Sequence, residues 1–223
     1  MPYMIPDKTS PQTTASEARQ LLRAHRYGAL STLSKKFDGH PFGSITPYLA
    51  DHDGSLLILI SALAEHTKNI QHDPRVSLIT HNQEDSHIQT QGRLTVVGTA
   101  ALEPQRELAG KRYLRYFPEA QTYYDMPDFQ FYRIVPQALR YIGGFGDIHW
   151  VKAERYQVPA NTLAAEEEAL LGKINAQRSA AQGVVIGIDC DGYDVRLNGR
   201  TVRRDFPTPA LDATQALALL QPL

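Results

Sequence analysis

Five consecutive aliphatic side chains, Leu56-Leu-Ile-Leu-Ile60, lie between Asp53-Gly54 and Ser61. An extended chain sends alternate side chains to opposite faces, so a run apolar at every position predicts a strand covered on both sides. Five residues are far too few to span a bilayer. Around this run, short strand-like pieces bounded by turn residues recur from 28 to 156. They are 28–33, 42–49 after a Lys-Lys-Phe-Asp-Gly-His turn, 75–81, 88–102 with a bend at Gly98, 129–135, and one more within 141–156. Helices in this stretch are few. One runs over 64–72 and stops before Asp73-Pro74, because the residue before proline resists the helical region. Another enters through Pro104 and reaches about Tyr116. Many short strands with tight turns are most economically housed in a small antiparallel barrel, since closure removes exposed edges.

The flanks differ. Residues 1–13 hold three prolines and no apolar period, which predicts a mobile tail. Thr14 and Glu17 form a capping-box pair ahead of a helical stripe of Ala18, Leu21, Leu22 and His25, ending near Arg26. Residues 158–162 read as a linker. Beyond it comes a helix with Glu166, Glu167 and Glu168 in its first turn and Leu170, Leu171 and Ile174 on its buried face. Strands over 184–189, 193–197 and 201–206 follow, joined at Asp191-Gly192 and Asn198-Gly199, dipeptides suited to type I′ turns. A last helix has Asp212 as its N-cap. The chain therefore divides into a tail (1–13), a barrel domain (14–156) and a helix, three-strand meander, helix module (157–223): an α+β protein.

Lysine and arginine number 23 against 24 acids, a net charge of −1, so no global field gathers nucleic acid or an anionic membrane. The single cysteine, Cys190, excludes an intrachain disulfide framework and fits a reducing compartment. The first twelve residues have no signal-peptide pattern, and cytoplasmic residence is the expectation.

The richest chemistry lies in Ser61-Ala-Leu-Ala-Glu-His66-Thr67-Lys68-Asn69, where a strand end is followed by a helix start. Free amides and added hydroxyl, imidazole and amine donors there favour a phosphate, while helix capping accounts for the same hydroxyls. Arg93 opens a long strand, where its fork either grips an anion or ring carbonyl or lays its stem over apolar surface. The eight histidines show no His-x-x-x-His or His-Glu-x-x-His spacing, and no Cys- or Ser-based catalytic setting is present. The aromatic cluster Tyr113, Tyr116, Phe117, Tyr123, Tyr124, Phe129, Phe131 and Tyr132 reads as packing before it reads as a cofactor wall. Arg196, Arg200, Arg203 and Arg204 read as a solvated face, having no interleaved aromatics.

Several segments occur in a telling order: Pro41-Phe-Gly-Ser-Ile-Thr-Pro-Tyr48, Leu59-Ile-Ser61, Ala64-Glu-His-Thr-Lys-Asn69, Asp73-Pro-Arg-Val-Ser77, Gly92-Arg-Leu-Thr95, Arg115-Tyr-Phe-Pro118, Asp128-Phe129, Ile142-Gly-Gly-Phe-Gly146 and His149-Trp150. Together they resemble the pyridoxamine-5′-phosphate-oxidase-like split-barrel family, in its haem-iron-utilisation (HugZ-type) branch. The resemblance implies an FMN-binding split β-barrel that works as a homodimer with the cofactor at the subunit interface. By position it implies Ser61, His66, Thr67 and Asn69 around the flavin phosphate, with His66 where oxidase relatives usually carry lysine. It also places Arg93 near the isoalloxazine ring and Ser44 and Thr46 on the strand lining that ring. The activity implied first is that of an oxidoreductase on a small planar substrate. The alternative is a haem-binding or haem-degrading protein of iron utilisation, and a third is a barrel that has become an interaction module. Haem-degrading relatives usually carry a His-Met-Asn-x-Asp-His segment in the C-terminal module; this chain has Lys173-Ile-Asn-Ala-Gln-Arg178. Arginine offers no lone pair to iron, so a haem ligand must come from elsewhere, with His66 and His149 the first candidates.

Overall fold

The structure, a computed structural model, describes residues 11–82, 91–144 and 146–220, without the side chains of 11–13. The expected tail to residue 10, the start of the 88–102 strand and His87 lie outside the described residues. Helix α1 (Pro11–Ala24) leads into strands β1 (Tyr27–Leu33), β2 (Pro41–Pro47), β3 (Leu49–Ala50) and β4 (Leu56–Ser61). Then come α2 (Glu65–His72), β5 (Arg75–His81), β6 (Arg93–Leu102), α3 (Arg106–Tyr116) and α4 (Gln121–Tyr124). Strands β7 (Phe129–Gly144) and β8 (Asp147–Lys152) and the short α5 (Ala153–Tyr156) complete the first part. The second part is α6 (Leu163–Asn175), β9 (Val184–Asp189), β10 (Gly192–Leu197), β11 (Arg200–Asp205) and α7 (Ala213–Leu219).

The larger sheet is antiparallel and runs β2-β1-β5-β6-β7-β4-β3, with β8 added to β7. It curls into a split β-barrel around Leu30, Ile58, Leu78, Leu94, Val96, Ile134 and Leu139, all 0 % exposed. The aliphatic run of β4 is covered on both sides, as its composition requires. Leu56, Ile58 and Ile60 enter the barrel core, while Leu57 and Leu59 join a second cluster with Tyr113, Tyr116, Phe117 and Phe131. Helix α3 supplies that second cover, and Ile186 of β9 completes it. The aromatic residues are thus packing, with Tyr113 4.6 Å from Phe117 and 5.1 Å from Phe131 between ring centroids.

β7 passes through Pro136, which no ordinary central strand accommodates because proline cannot donate to the ladder. The pairing register with β6 slips at this point, Val97 opposing Ala138 and Gly98 opposing Pro136. A Cβ on Gly98 would fall 2.3 Å from the Val135 carbonyl oxygen, so glycine is required for the close approach. The expected bend at Gly98 is this bulge.

Three expectations about local structure are corrected. Helix α1 extends back to Pro11, so Thr14 is a buried helical residue and not an N-cap; proline in the first turn starts the helix instead. The β9–β10 hairpin turns on Cys190-Asp191, neither with positive φ, and Gly192 already pairs with Asp189. The Asn198-Gly199 turn has the expected positive φ at both residues, 51° and 76°. Arg203 is not solvated, its side chain being 5 % exposed, and Arg196 donates to the Arg115 and Tyr116 carbonyls.

The reason for the inward arginines is a buried charge cluster between the two parts of the chain. Arg19, Arg23 and Arg26 fall at four- and three-residue steps at the end of α1. Arg19 Nε and Nη2 donate to Asp191 at 2.9 and 3.0 Å. Arg23 Nη1 donates to Asp189 and to Asp191, both at 2.8 Å, and Arg26 pairs with Asp194. Arg203 grips Asp189 with two further bonds of 2.7 and 2.8 Å. Asp189, Cys190 and Asp191 bring metal-ligand atoms within 4.8 Å of one another, but guanidinium N–H groups occupy both carboxylates. Burial, ahead of the nearby charges, pushes the Cys190 thiol up to about 12.

Candidate functional site

β4 ends at Ser61, and the chain turns into α2 with Ala64 at the N-cap and no side-chain cap. The hydroxyl of Ser61 accepts from the Leu63 amide at 3.0 Å and donates to Asp128 Oδ2 at 2.6 Å. Thr67 Oγ1 donates to the Ser61 carbonyl at 2.6 Å. Asn69 is 0 % exposed; its Nδ2 donates to Thr32 Oγ1 and its Oδ1 accepts from the Lys35 amide, both at 2.9 Å. Ser61, Thr67 and Asn69 therefore brace the strand–helix junction, and Asn69 anchors the 34–40 turn. The helix's capping role, weighed in the sequence, goes to none of them.

His66 differs. Its Nε2 is buried without a hydrogen-bond partner, and burial pulls the imidazole below its ordinary pKa. A neutral imidazole grips a phosphate less well than a lysine would. Ser44 Oγ, on β2, is likewise buried without a partner. Helix α2 packs against β1 and β2, so these two orphaned groups belong to adjoining elements.

Cross-strand register sorts the remaining expected residues. Ser44 opposes Leu30, Leu30 opposes Leu78, and Leu78 opposes Val96, so Ser44 and Thr46 face the barrel interior. Thr46 is 2 % exposed and donates to the Pro47 carbonyl at 3.2 Å. Arg93 opposes His81 and Ile142 on the other face of the same sheet. The seven expected cofactor residues thus fall into three groups: the β4–α2 junction, the inner face of β2 and the outer face of β6. His149 stands apart on β8, its Nε2 2.7 Å from Asp147 Oδ1.

Two features carried no usable signal in the sequence. One is Asp128, which places a carboxylate on Ser61. The other is a cleft of about 580 Å³ between the β3–β4 hairpin, α3 and α6. There Glu167 accepts from Arg112 Nε at 3.2 Å, pairs with Arg115, lies 3.3 Å from His52 Nε2 and accepts from the Ile188 amide at 3.1 Å. Burial alone would raise the Glu167 carboxyl, but Arg112, ahead of His52 and Arg115, outweighs it and holds it well below the usual range. The cleft's charges are largely satisfied by one another, and the expected dipole role of Glu167 gives way to docking α6 on α3.

The Lys173–Arg178 segment is structural. Asn175 exchanges two 2.9 Å bonds with the Val185 backbone, and Arg178 closes the following turn on the Gly183 and Gln182 carbonyls.

The fold is a split β-barrel with a small α/β module docked on it. A family model described as "CREG, beta-barrel" matches residues 9–158, and the chain belongs to that family. The resemblance drawn from the motifs, to flavin-type split barrels with a haem-utilisation branch, stands. Among curated proteins, the chain is 29 % identical over 240 residues to "Non-canonical heme oxygenase HOZ, chloroplastic" of Arabidopsis thaliana, covering 96 % of this chain and 74 % of that one. Among solved structures, it is similar to the protein Atu2129 of Agrobacterium tumefaciens, described as of unknown function (TM-score 0.80, 26 % identity, 99 % and 100 % of the two chains). A second is a heme binding protein from Mycobacterium smegmatis (TM-score 0.60, 25 % identity, 92 % and 93 %). Among the described residues no helix is long and apolar enough to cross a membrane.

Proposed function

We propose that this protein binds haem on its split barrel and serves in haem handling, with FMN as the second reading. The observation that carries this order is the bond from Ser61 to Asp128. A carboxylate seated on the hydroxyl expected to receive a phosphate opposes a dianion there. Thr67 and Asn69 are committed to the fold, and burial keeps His66 from serving as a cation. The relatives named as heme oxygenase and heme binding protein support the same order.

The residues of the sheet's outer face fit an iron porphyrin. Ile45, Ile79, Ile148 and Trp150 are exposed there, and Arg93 stands among them, suited to a carboxylate at the edge of an apolar plate. When bound, haem supplies iron redox chemistry; the chain supplies the apolar seat and the arginine. Assembly as a homodimer through this face is part of the proposal, because so much exposed apolar surface on one sheet face is characteristic of interfaces. Cytoplasmic residence belongs to it too, supported by the lone buried thiol.

FMN is favoured by one observation, the orphaned buried atoms Ser44 Oγ and His66 Nε2, which lack partners that a phosphate or ring oxygen could supply. An absorption spectrum of the freshly purified protein, repeated with haemin and separately with FMN, decides the order. The expected result is a stoichiometric Soret band with no flavin surviving desalting. A retained flavin spectrum without a Soret response reverses the order and restores the oxidoreductase reading.

A further inference from the structure

The outer face of the barrel sheet holds an imidazole that neither the flavin nor the haem expectation uses. His81, the last residue of β5, is the cross-strand partner of Arg93, and Arg93 in turn opposes Ile142. The next row on that face runs Ile45, Ala29, Ile79, Thr95, Arg140, Trp150. It is a broad, largely apolar surface with an arginine and a histidine at one end.

His81 is oriented. Its Nδ1 lies 2.8 Å from the Asn82 carbonyl oxygen. A carbonyl only accepts, so Nδ1 carries a proton, and in the neutral ring the lone pair is at Nε2. Histidines that ligate metals are held in this way, with the second ring nitrogen donating to a carbonyl or carboxylate. The purely local reading is that this bond ends the strand and does nothing more. Two further observations go beyond it.

First, a second histidine stands nearby. Thr80 Oγ1 donates to the Tyr27 carbonyl at 3.1 Å, tying the end of β5 to the chain just after His25. His25 and His81 lie close enough to interact electrostatically. Second, the surrounding charge selects the kind of metal. A guanidinium beside the imidazole, Arg93, is less suited to a bare divalent cation than to a metal complex that brings its own carboxylates. A planar, mostly apolar iron complex with peripheral carboxylates matches the apolar row, the arginine and the imidazole together.

We propose that His81, through Nε2, is the protein ligand to the iron of a porphyrin lying on the outer face of the barrel sheet, beside Arg93. The assignment rests on the haem reading above and moves the ligand away from His66 and His149. His149 has its Nε2 committed to Asp147, and His66 lies at the β4–α2 junction.

The test is haemin titration of the full-length protein, followed by Soret position and affinity, for wild type and for His81→Ala, His81→Cys, His66→Ala and His149→Ala. Removing an iron ligand costs at least what removing its orienting partner does, so His81→Ala is expected to weaken haemin binding about tenfold or more and to move the Soret band. Added imidazole restores the band. His81→Cys replaces the nitrogen ligand by a thiolate and shifts the band in its own way, which guards against misfolding of the alanine variant. The His66 and His149 variants keep the wild-type spectrum. If wild type binds haemin and both His81 variants match it in spectrum and affinity, the ligand assignment is overturned while the haem reading stands. If wild type gives no Soret band, the haem reading itself fails, and the assignment with it.

Discussion

Ser61 and Asp128 are joined hydroxyl to carboxylate at 2.6 Å, across 67 residues of sequence. The bond fastens the end of β4 to the start of β7 and places negative charge where the family resemblance puts a phosphate. Removing that charge while keeping the hydrogen-bonding shape should therefore open the flavin site. Asp128→Asn is expected to tighten FMN binding about tenfold, since like charges a few ångströms apart cost on the order of 4 kcal/mol before screening. Flavin fluorescence quenching measures it. Equal affinity in wild type and variant removes Asp128 as the obstacle.

The α1 clamp should matter for stability. Arg23→Met leaves Asp189 with Arg203 and Asp191 with Arg19, so the cost sits at the lower end of the range for breaking a buried pair, about 3 kcal/mol. Urea unfolding reads this directly. A loss below about 1 kcal/mol would show that the remaining arginines carry the cluster unaided.

Acid should loosen the docking of the two parts. Glu167 and Asp189 are both held below the usual carboxylate range, Glu167 by Arg112 and Asp189 by Arg203 and Arg23, against the opposing effect of burial. Groups with depressed folded values stabilise fully above the unfolded value of about 4, and that contribution drains as pH falls toward the folded value. Stability should be flat through neutral pH and fall steeply only below about pH 4. Glu167→Gln should lower stability at pH 7 and flatten the acid limb. Chemical unfolding at stepped pH checks both, and an acid limb of unchanged slope counts against Glu167.

Gly98→Ala should strain the barrel wall. The new Cβ meets the backbone of Val135, which cannot swing aside as a side chain would. The expected cost is about 2 kcal/mol, in line with overpacked cores, seen as a lower thermal midpoint.

Much of this architecture is written locally in the chain. The β4 run announces a strand buried on both faces, Asn198-Gly199 announces its turn, and Asp212 caps α7, accepting from the Gln215 amide at 2.8 Å. Such features depend on neighbours a few residues away, so composition and spacing reveal them. The charge cluster does not. Arg19 and Arg23, one helical turn apart, look like a solvated stripe until their partners at 189 and 191 are known, and those aspartates look like ordinary turn residues. Arg203 reads as solvated in the sequence for the same reason. At the candidate site, hydroxyls and an amide at a helix start are equally good for holding a phosphate and for bracing the backbone. Only the partners Asp128, Thr32 and the Lys35 amide distinguish the two.

Arg19 and its carboxylate Asp191 lie 172 positions apart. At translation speeds of roughly 5–20 residues per second, the first helix leaves the ribosome about ten to thirty seconds before its counter-ions exist. Only in the closing part of that interval, once β8 has ended at Lys152, does the nascent barrel have all its strands, and the arginines of α1 then still wait for the carboxylates of Asp189 and Asp191. Synthesis of the roughly forty residues between β8 and Asp191 thus acts as a timer for the settling of α1.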